Sequence, residues 1–203
     1  MRRIDGDTVG DERTAPDLVG DIRAGSARAM GELFDRHADA IYSYCFRRCA
    51  DWARAEDLCS TVFLEAWRHR SRFVVHDGSA LPWLYGVATN VCRNDARSHR
   101  RHNRALARVP LESSFPDHAE EVAHRLDDEA MMRALLERVA DLAPRDRDVL
   151  ALVVWEGLAY PAVALALGIP VGTVKSRMSR VRRLLALPDP ALPTHPAHPQ
   201  DLT

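Results

Sequence analysis

The sequence predicts an all-α protein made of two small helical domains, a helical bundle and a helix-turn-helix domain, joined by a flexible linker. Apolar residues recur at helical spacing in several segments, and no segment alternates as a strand would. A stretch rich in Pro, Ser and acids separates the first three helical segments from the others. The chain has 203 residues, of which 46% are hydrophobic and 28% charged, as expected for a globular protein.

Three amphipathic helices are predicted in the first domain, residues 25–108. The first apolar stripe covers residues 30–45 and the second covers residues 55–66, both at helical offsets. The third stripe follows Pro82, which suits the first turn of a helix because its missing N–H has no intrahelical partner there. Residues 1–24 show no periodicity and are predicted to form a mobile tail.

The second half of the chain is predicted to hold a linker, a domain and a tail. Residues 109–126 contain two Pro, two Ser and several acids, which is typical of a linker. Helical periodicity returns over residues 127–187, with Pro144 marking a break between helices. Residues 188–203 contain five Pro in sixteen positions and are predicted to be disordered.

A helix-turn-helix is predicted near the end of the second domain. A short helix over residues 161–167 is followed by Gly168, which tolerates a positive φ, and by Pro170, which prevents the first helix from continuing. The next helix carries an apolar stripe on one face. Its other face carries polar and basic residues that suit phosphates and base edges: Thr173, Lys175, Ser176, Arg177, Arg180 and Arg183.

The charge distribution is uneven, although the formal net charge is only −1. Residues 93–108 hold six Arg and one Asp, and residues 172–186 hold five basic residues and no acid. Between them, residues 111–148 hold eleven acids and five bases. Two basic blocks indicate two contacts with a polyanion, and two solvated helix faces are the alternative.

Several classes of protein are disfavoured by the sequence. The longest apolar run, residues 149–155, is too short to cross a bilayer, so no membrane insertion is expected. No Gly-rich phosphate loop and no Gly-x-Ser-x-Gly motif is present, so we expect neither an enzyme nor a cofactor. The N-terminus turns acidic where a signal peptide would be apolar, which favours a cytoplasmic protein.

The four cysteines lie within apolar helical segments, at positions 45, 49, 59 and 92. This placement favours buried, reduced thiols. A zinc or redox site is the alternative, since Cys45 and Cys49 share a helix face that His69 or His99 could join. No Cys-x-x-Cys pair is present, so no metal is expected.

An ordered set of motifs runs through both predicted domains. The first domain contributes LFDRH at 33–37, AEDL at 55–58, FLEAW at 63–67 and WLYGVATN at 83–90. The second contributes LAPRDR at 142–147, EGLAY at 156–160 and LGIPVGTVKSR at 167–177. This ordered set resembles the extracytoplasmic-function (ECF) subfamily of sigma factors, in the sigma-70 family of bacterial RNA polymerase. The resemblance implies a subunit that binds core RNA polymerase and recognises and opens promoters.

The resemblance also implies roles for individual residues. Polymerase binding is implied for Glu56, Asp57, Ser60 and Thr61, and recognition of the minus-ten element for Asn90, Arg93, Asn94 and Arg97. The basic face of the last helix would contact the minus-thirty-five element, and the loop at 74–80 would capture a flipped base. Trp83 and Tyr85 are candidates for stacking on bases, with a core position as the alternative for Trp83. The implied partners are the clamp and flap of core polymerase, promoter DNA and an anti-sigma factor.

A DNA-binding repressor or response regulator is the main alternative function, because it would use the same helix-turn-helix. Such a protein carries a ligand or phosphoacceptor domain, usually with strands, or a dimerisation helix. The first half of this chain shows neither pattern. Its basic third helix also predicts a second nucleic-acid contact, which a sigma factor accounts for.

Overall fold

The computed structural model describes residues 14–106 and 119–185, and it is helical in both stretches. The α-helices are α1 (Ala15–Arg23), α2 (Ala27–Cys49), α3 (Trp52–Arg68), α4 (Leu81–Leu106), α5 (Ala119–Arg138), α6 (Pro144–Leu150), α7 (Tyr160–Leu167) and α8 (Val171–Leu185). A 3-10 turn (Arg70–Arg72) follows α3, and a π-helical turn (Ala151–Trp155) continues α6. The prediction of an all-α protein is confirmed for these residues. None of their helices is both long enough and apolar enough to span a membrane.

Helices α2, α3 and α4 form the predicted bundle. Their apolar stripes face inward, and Leu33, Val62 and Leu84 are fully buried between them. Ser26 and Asp51 cap the N-termini of α2 and α3, because each side-chain oxygen accepts a hydrogen bond from a backbone N–H in the first turn. The sequence periodicity therefore located the three helices and their buried faces correctly.

Helix α1 corrects the prediction of a mobile tail over residues 1–24. Thr14 caps this helix, and Pro16 lies in its first turn. Its apolar residues are buried where α1 packs on α2: Leu18, Val19 and Ile22. Three apolar residues in nine positions are too few to show a helical periodicity, so the sequence pattern did not predict this helix. Their burial depends on the surface that α2 provides. Residues 1–13 lie outside the described part of the chain.

Helix α5 begins at Ala119, inside the predicted linker of residues 109–126 and before the expected start near Asp127. Acids are common in linkers, yet they are also favourable in the first turn of a helix because they complement its dipole, so composition alone did not locate this boundary. The remainder of the predicted linker, up to residue 118, is not described by the structure, and neither is the predicted tail at 188–203.

Helices α6, α7 and α8 form the second domain. Pro144 occupies the first turn of α6, as its position in the sequence predicts. The core of this domain consists of fully buried apolar residues: Val149, Leu152, Val163, Val174 and Val181. Helix α4 of the bundle packs directly against α7, so the two domains share one continuous core in this structure.

Candidate nucleic-acid and polymerase interfaces

Helix α8 has an apolar side and a basic side. Val174, Met178 and Val181 are buried and anchor it in the second domain. The predicted DNA-contacting residues lie on the remaining surface: Lys175, Ser176, Arg180 and Arg183 are exposed, and Thr173 and Arg177 are half-buried. Because one side is anchored, several hydrogen-bond donors are presented together on the other side, which is the arrangement that a recognition helix requires.

The turn before α8 fixes the angle at which that helix is presented. Gly168 ends α7 in the left-handed conformation, at φ 61° and ψ 39°, which glycine adopts without a steric penalty. The N–H groups of Gly168 and Ile169 donate to the last carbonyls of α7. The carbonyl of Pro170 accepts the first hydrogen bonds of α8, from Thr173 and Val174. The helix-turn-helix predicted from this segment is therefore present.

Two side-chain contacts hold α8 against the rest of its domain. Arg180 Nη1 lies 3.0 Å from Asp146 Oδ2 in α6, and Asp146 is buried. Arg182 Nη2 donates to the hydroxyl of Tyr160 in α7, at 2.8 Å. The guanidinium of Arg180, one of the predicted DNA contacts, is thus already paired with a carboxylate.

The four predicted minus-ten residues do not all lie on one exposed surface. Asn90, Asn94 and Arg97 are exposed on α4, at positions one and two turns apart. Arg93 instead points toward the second domain, where its Nη2 lies 2.6 Å from Asp148 Oδ2. The structure therefore brings three of these residues together and separates the fourth.

The predicted polymerase-binding residues form one exposed face of α3. Glu56, Asp57, Ser60 and Thr61 are all exposed, and the hydroxyl of Thr61 donates to the backbone carbonyl of Asp57 at 2.8 Å. Leu64 continues this face one turn further and is 48% exposed. Sequence reasoning missed Leu64. Its position, two turns after Asp57 and outside the buried stripe of α3, was an available sign that this apolar side chain is exposed.

Two family models match this chain, one in each half. A model for sigma-70 region 2 matches residues 33–102, and one for sigma-70 region 4 matches residues 132–185. The ECF RNA polymerase sigma factor SigL of Mycobacterium tuberculosis is 32% identical over 175 residues, covering 83% of this chain and 93% of SigL. The chain belongs to the ECF group of the sigma-70 family. It is a sigma factor that directs promoter-specific initiation of transcription.

Two further proteins are similar to this sigma factor. The ECF RNA polymerase sigma factor BldN of Streptomyces coelicolor is 31% identical over 181 residues, which cover 86% of this chain and 66% of BldN. The sigma factor RpoE from Bartonella quintana, solved in complex with the anti-sigma factor NepR, superposes with a TM-score of 0.53 at 25% identity. That likeness covers 76% of this chain and 92% of RpoE. The region 2 match also favours a sigma factor over the repressor alternative.

The loop at 74–80 of this sigma factor contains a tight turn whose two central residues are Asp77 and Gly78. The backbones of His76 and Ser79 exchange two hydrogen bonds of 2.9 Å each. Asp77 and Gly78 between them have positive φ values of 47° and 73°. Two successive left-handed residues are typical of a type I′ turn, which holds the loop tip in a defined shape.

Neither aromatic residue near the start of α4 is free to stack on bases. Trp83 is half-buried and stacks on the buried ring of Phe73, with 4.1 Å between ring centroids. Tyr85 is buried beside Tyr44 in the bundle core. The structure thus supports the core position for Trp83 and corrects the base-stacking prediction for Tyr85, which the periodicity of α4 alone did not exclude.

The cysteines of this sigma factor are in the bundle core or at its edge. Cys45, Cys59 and Cys92 are buried, and Cys49 is half-buried. Burial raises the pKa of the Cys49 thiol to about 12 and that of Cys59 to about 11. Both are therefore neutral thiols near pH 7. The residues described include no cluster of three or more His, Cys, Asp or Glu arranged to bind a metal.

Sequence reasoning also missed three acids with buried carboxylates. Asp146 and Asp148 lie in α6, and Glu156 follows the π-helical turn. The side chains of Asp148 and Glu156 are 0% and 4% exposed, and all three acids bind Arg side chains. Asp146 is flanked by Arg145 and Arg147, so the local sequence gives no sign that this carboxylate is buried. The arginines that bind the three acids are remote in sequence, so no local signal identifies them.

Proposed function

We propose that this sigma factor contacts the minus-thirty-five element with α8, the minus-ten element with the outward face of α4, and the polymerase clamp with α3. One observation carries the assignment: each helix buries its apolar stripe and exposes polar or charged residues where the family resemblance implies contacts. The chain acts by binding rather than by catalysis, in the cytoplasm, where RNA polymerase and promoter DNA are found.

Within α8, we assign the base-edge contact to Arg177 rather than to Arg180. Arg180 pairs with Asp146 of α6 through Nη1, which holds its guanidinium against that helix and makes it a residue that positions α8. Arg177 lies in the second turn of α8, and a recognition helix contacts bases with its N-terminal residues. Lys175 is exposed and carries a compact charge, which suits a phosphate contact.

The test compares Arg177→Ala with Lys175→Ala in the full-length holoenzyme, using promoters that differ by single base pairs. Loss of a bidentate base contact costs about 1–3 kcal/mol and relaxes discrimination at one position. Loss of a phosphate contact weakens all promoters alike and reduces the slope of the salt dependence by about 1. A uniform loss from both variants would show that α8 is only an electrostatic anchor and would contradict this assignment.

An anti-sigma protein is part of the proposal as a further partner. Support comes from the resemblance to ECF sigma factors and from the similarity in fold to RpoE, which was solved with NepR. A purified candidate from the same cell should abolish run-off transcription by the holoenzyme and leave transcription by a holoenzyme with an unrelated sigma factor unchanged. Equal loss from both holoenzymes would contradict a specific anti-sigma role.

A further inference from the structure

Two cysteines face each other across the core of the bundle. Cys45 of α2 is 0% exposed and Cys92 of α4 is 5% exposed. Their Sγ atoms lie 4.0 Å apart and share a hydrogen bond, so the two thiols are in direct contact. A disulfide has an S–S distance of about 2.05 Å, so the sulfurs must move about 2 Å closer before a bond can join α2 to α4.

A small cavity leads from the surface of the bundle to Cys92. It has a volume of about 150 Å³ and lies between α2, α3 and α4. Exposed His99 borders it, and so does Arg54, which forms an ion pair with Asp95. Among the described residues that line this cavity, two are cysteines, Cys49 and Cys92. Since a water molecule occupies about 30 Å³, a partly polar cavity of this volume admits hydrogen peroxide.

The two cysteines at this cavity differ in how readily they ionise. Burial raises the pKa of the Cys49 thiol to about 12, so this thiol is neutral near pH 7. The pKa of Cys92 is lowered instead, chiefly by its hydrogen bond with Cys45 and further by the positive charge of Arg48. These effects outweigh the burial of Cys92, which by itself would raise its pKa. Because the thiolate is the nucleophile, Cys92 is the more reactive of the two.

We propose that Cys92 and Cys45 form a peroxide-reactive pair, in which Cys92 is oxidised first and Cys45 then completes a disulfide between α2 and α4. In the first step, the Cys92 thiolate attacks one oxygen of hydrogen peroxide. An S–O bond forms, the O–O bond breaks, and the departing hydroxide takes up the proton that the Cys92 thiol released, which gives water.

In the second step, the sulfur of Cys45 attacks the sulfur of the Cys92 sulfenic acid. The S–S bond forms, the S–O bond breaks, and the departing hydroxide takes the proton of the Cys45 thiol to give a second water. The two thiols lose two electrons in total, and one molecule of hydrogen peroxide gains them. The hydrogen bond between the thiols places Cys45 next to the sulfur that it attacks.

The position of Cys92 connects this pair to the proposed DNA contact. Cys92 lies two residues after Asn90 and two residues before Asn94, which are exposed on α4. Because protein cores are close-packed, part of a movement of about 2 Å between the sulfurs is transmitted to the helices. The disulfide therefore shifts α4 and weakens its contact with DNA. In this respect alone the inference rests on the proposed function, in which α4 contacts the minus-ten element.

The first experiment locates the disulfide in the full-length chain. Cleavage after Arg and Lys places each cysteine in a separate peptide: residues 37–47, 49–54, 55–68 and 73–93. The chain is treated with hydrogen peroxide, its remaining thiols are alkylated, and the peptides are analysed by mass spectrometry. We expect a cross-link between the peptides of Cys45 and Cys92. Absence of a cross-link, or a cross-link that joins Cys49 or Cys59 instead, would overturn the proposal.

Single variants test the order of the two steps. Cys45→Ala leaves Cys92 without a partner, so oxidation should stop at the sulfenic acid, which a dimedone probe traps. Cys92→Ala should abolish the cross-link and leave Cys45 unlabelled. Cys59→Ala is the matched control, because Cys59 is also buried in the bundle and its removal should leave the cross-link unchanged. Labelling of Cys45 in the Cys92→Ala variant would overturn the order of the steps. The first experiment needs no substitution, so its result stands even if a variant does not fold.

Promoter binding shows whether the disulfide acts on α4. The full-length chain is oxidised, freed of peroxide and assembled with reduced core polymerase, and Cys92→Ala is treated in the same way. We expect the oxidised chain to bind promoter DNA about tenfold more weakly, comparable to the loss of one base contact, and to recover after reduction with dithiothreitol. The Cys92→Ala variant should bind equally before and after oxidation.

The two failures are distinguishable in this design. Unchanged promoter binding by the cross-linked chain would overturn the proposed effect of the disulfide on α4. A reduced holoenzyme that initiates at no promoter in run-off transcription would count against the proposed function instead, whatever the result of the peptide analysis.

Discussion

A buried chain of hydrogen bonds in the bundle predicts that two conservative substitutions lower stability by different amounts. The hydroxyl oxygens of Tyr44 and Thr89 lie 2.7 Å apart, and both residues are fully buried. Thr89 Oγ1 also lies 2.7 Å from the backbone oxygen of Tyr85, which can only accept. The single hydroxyl proton of Thr89 is therefore donated to Tyr85, and Tyr44 must donate to Thr89. Burial raises the pKa of Tyr44 well above its usual value, so its hydroxyl remains a donor.

The direction of these hydrogen bonds determines how much each substitution lowers the free energy of unfolding. Thr89→Val keeps the shape but leaves the Tyr44 hydroxyl buried without an acceptor, which costs about 1–3 kcal/mol. Tyr44→Phe removes the donor and leaves Thr89 bonded to Tyr85, so only one hydrogen bond is lost, at about 0.5–1.5 kcal/mol. In the double variant no hydroxyl is left unsatisfied. Its cost should therefore be smaller than the sum of the two single costs by about 1 kcal/mol.

The assay is urea unfolding followed by circular dichroism for the unaltered chain, both single variants and the double variant. For a chain of this length, 1 kcal/mol corresponds to a shift of about 2–4 °C in Tm, which gives an independent check by thermal unfolding. Strictly additive free energies of unfolding, or a larger loss from Tyr44→Phe than from Thr89→Val, would refute the assigned direction of these hydrogen bonds.

Three other outcomes are expected. Asp57→Ala should weaken core-polymerase binding without changing helicity, whereas exposed Asp141→Ala should not; equal binding by both variants in a pull-down would contradict the role of α3. Gly31→Ala should raise stability by up to about 1 kcal/mol, measured as a higher Tm, because it adds helix propensity without a clash. Burial raises the pKa of the Cys49 thiol from its ordinary value of 9.0 to about 12 in the folded chain. The thiol therefore ionises at a lower pH when the chain is unfolded, and the free energy of unfolding should fall as pH rises from 9 to 12. Cys49→Ala should lose less stability than the unaltered chain between pH 8 and pH 10, and equal losses in urea unfolding would count against that pKa.

The sequence predicted those features that depend on neighbouring residues along the chain. The spacing of apolar residues located α2, α3 and α4 and identified their buried faces, because a helix places residues three and four apart on one side. Gly168 and Pro170 predicted the turn of the helix-turn-helix, because backbone conformation at those positions depends on the residue type. The exposed positions of Asn90 and Lys175 follow from the same periodicity.

Tertiary structure decided the features that depend on residues remote in sequence. Helix α1 is buried only because α2 offers it an apolar surface, and its three apolar residues alone did not indicate this. Arg93 and Asp148 are 55 residues apart and meet only because α4 packs on the second domain. The local periodicity indicates which side of a helix is polar. The partner of a charged side chain depends instead on which helices pack together. For that reason, the sequence predicts that Arg93 contacts DNA but does not indicate that it also pairs with Asp148.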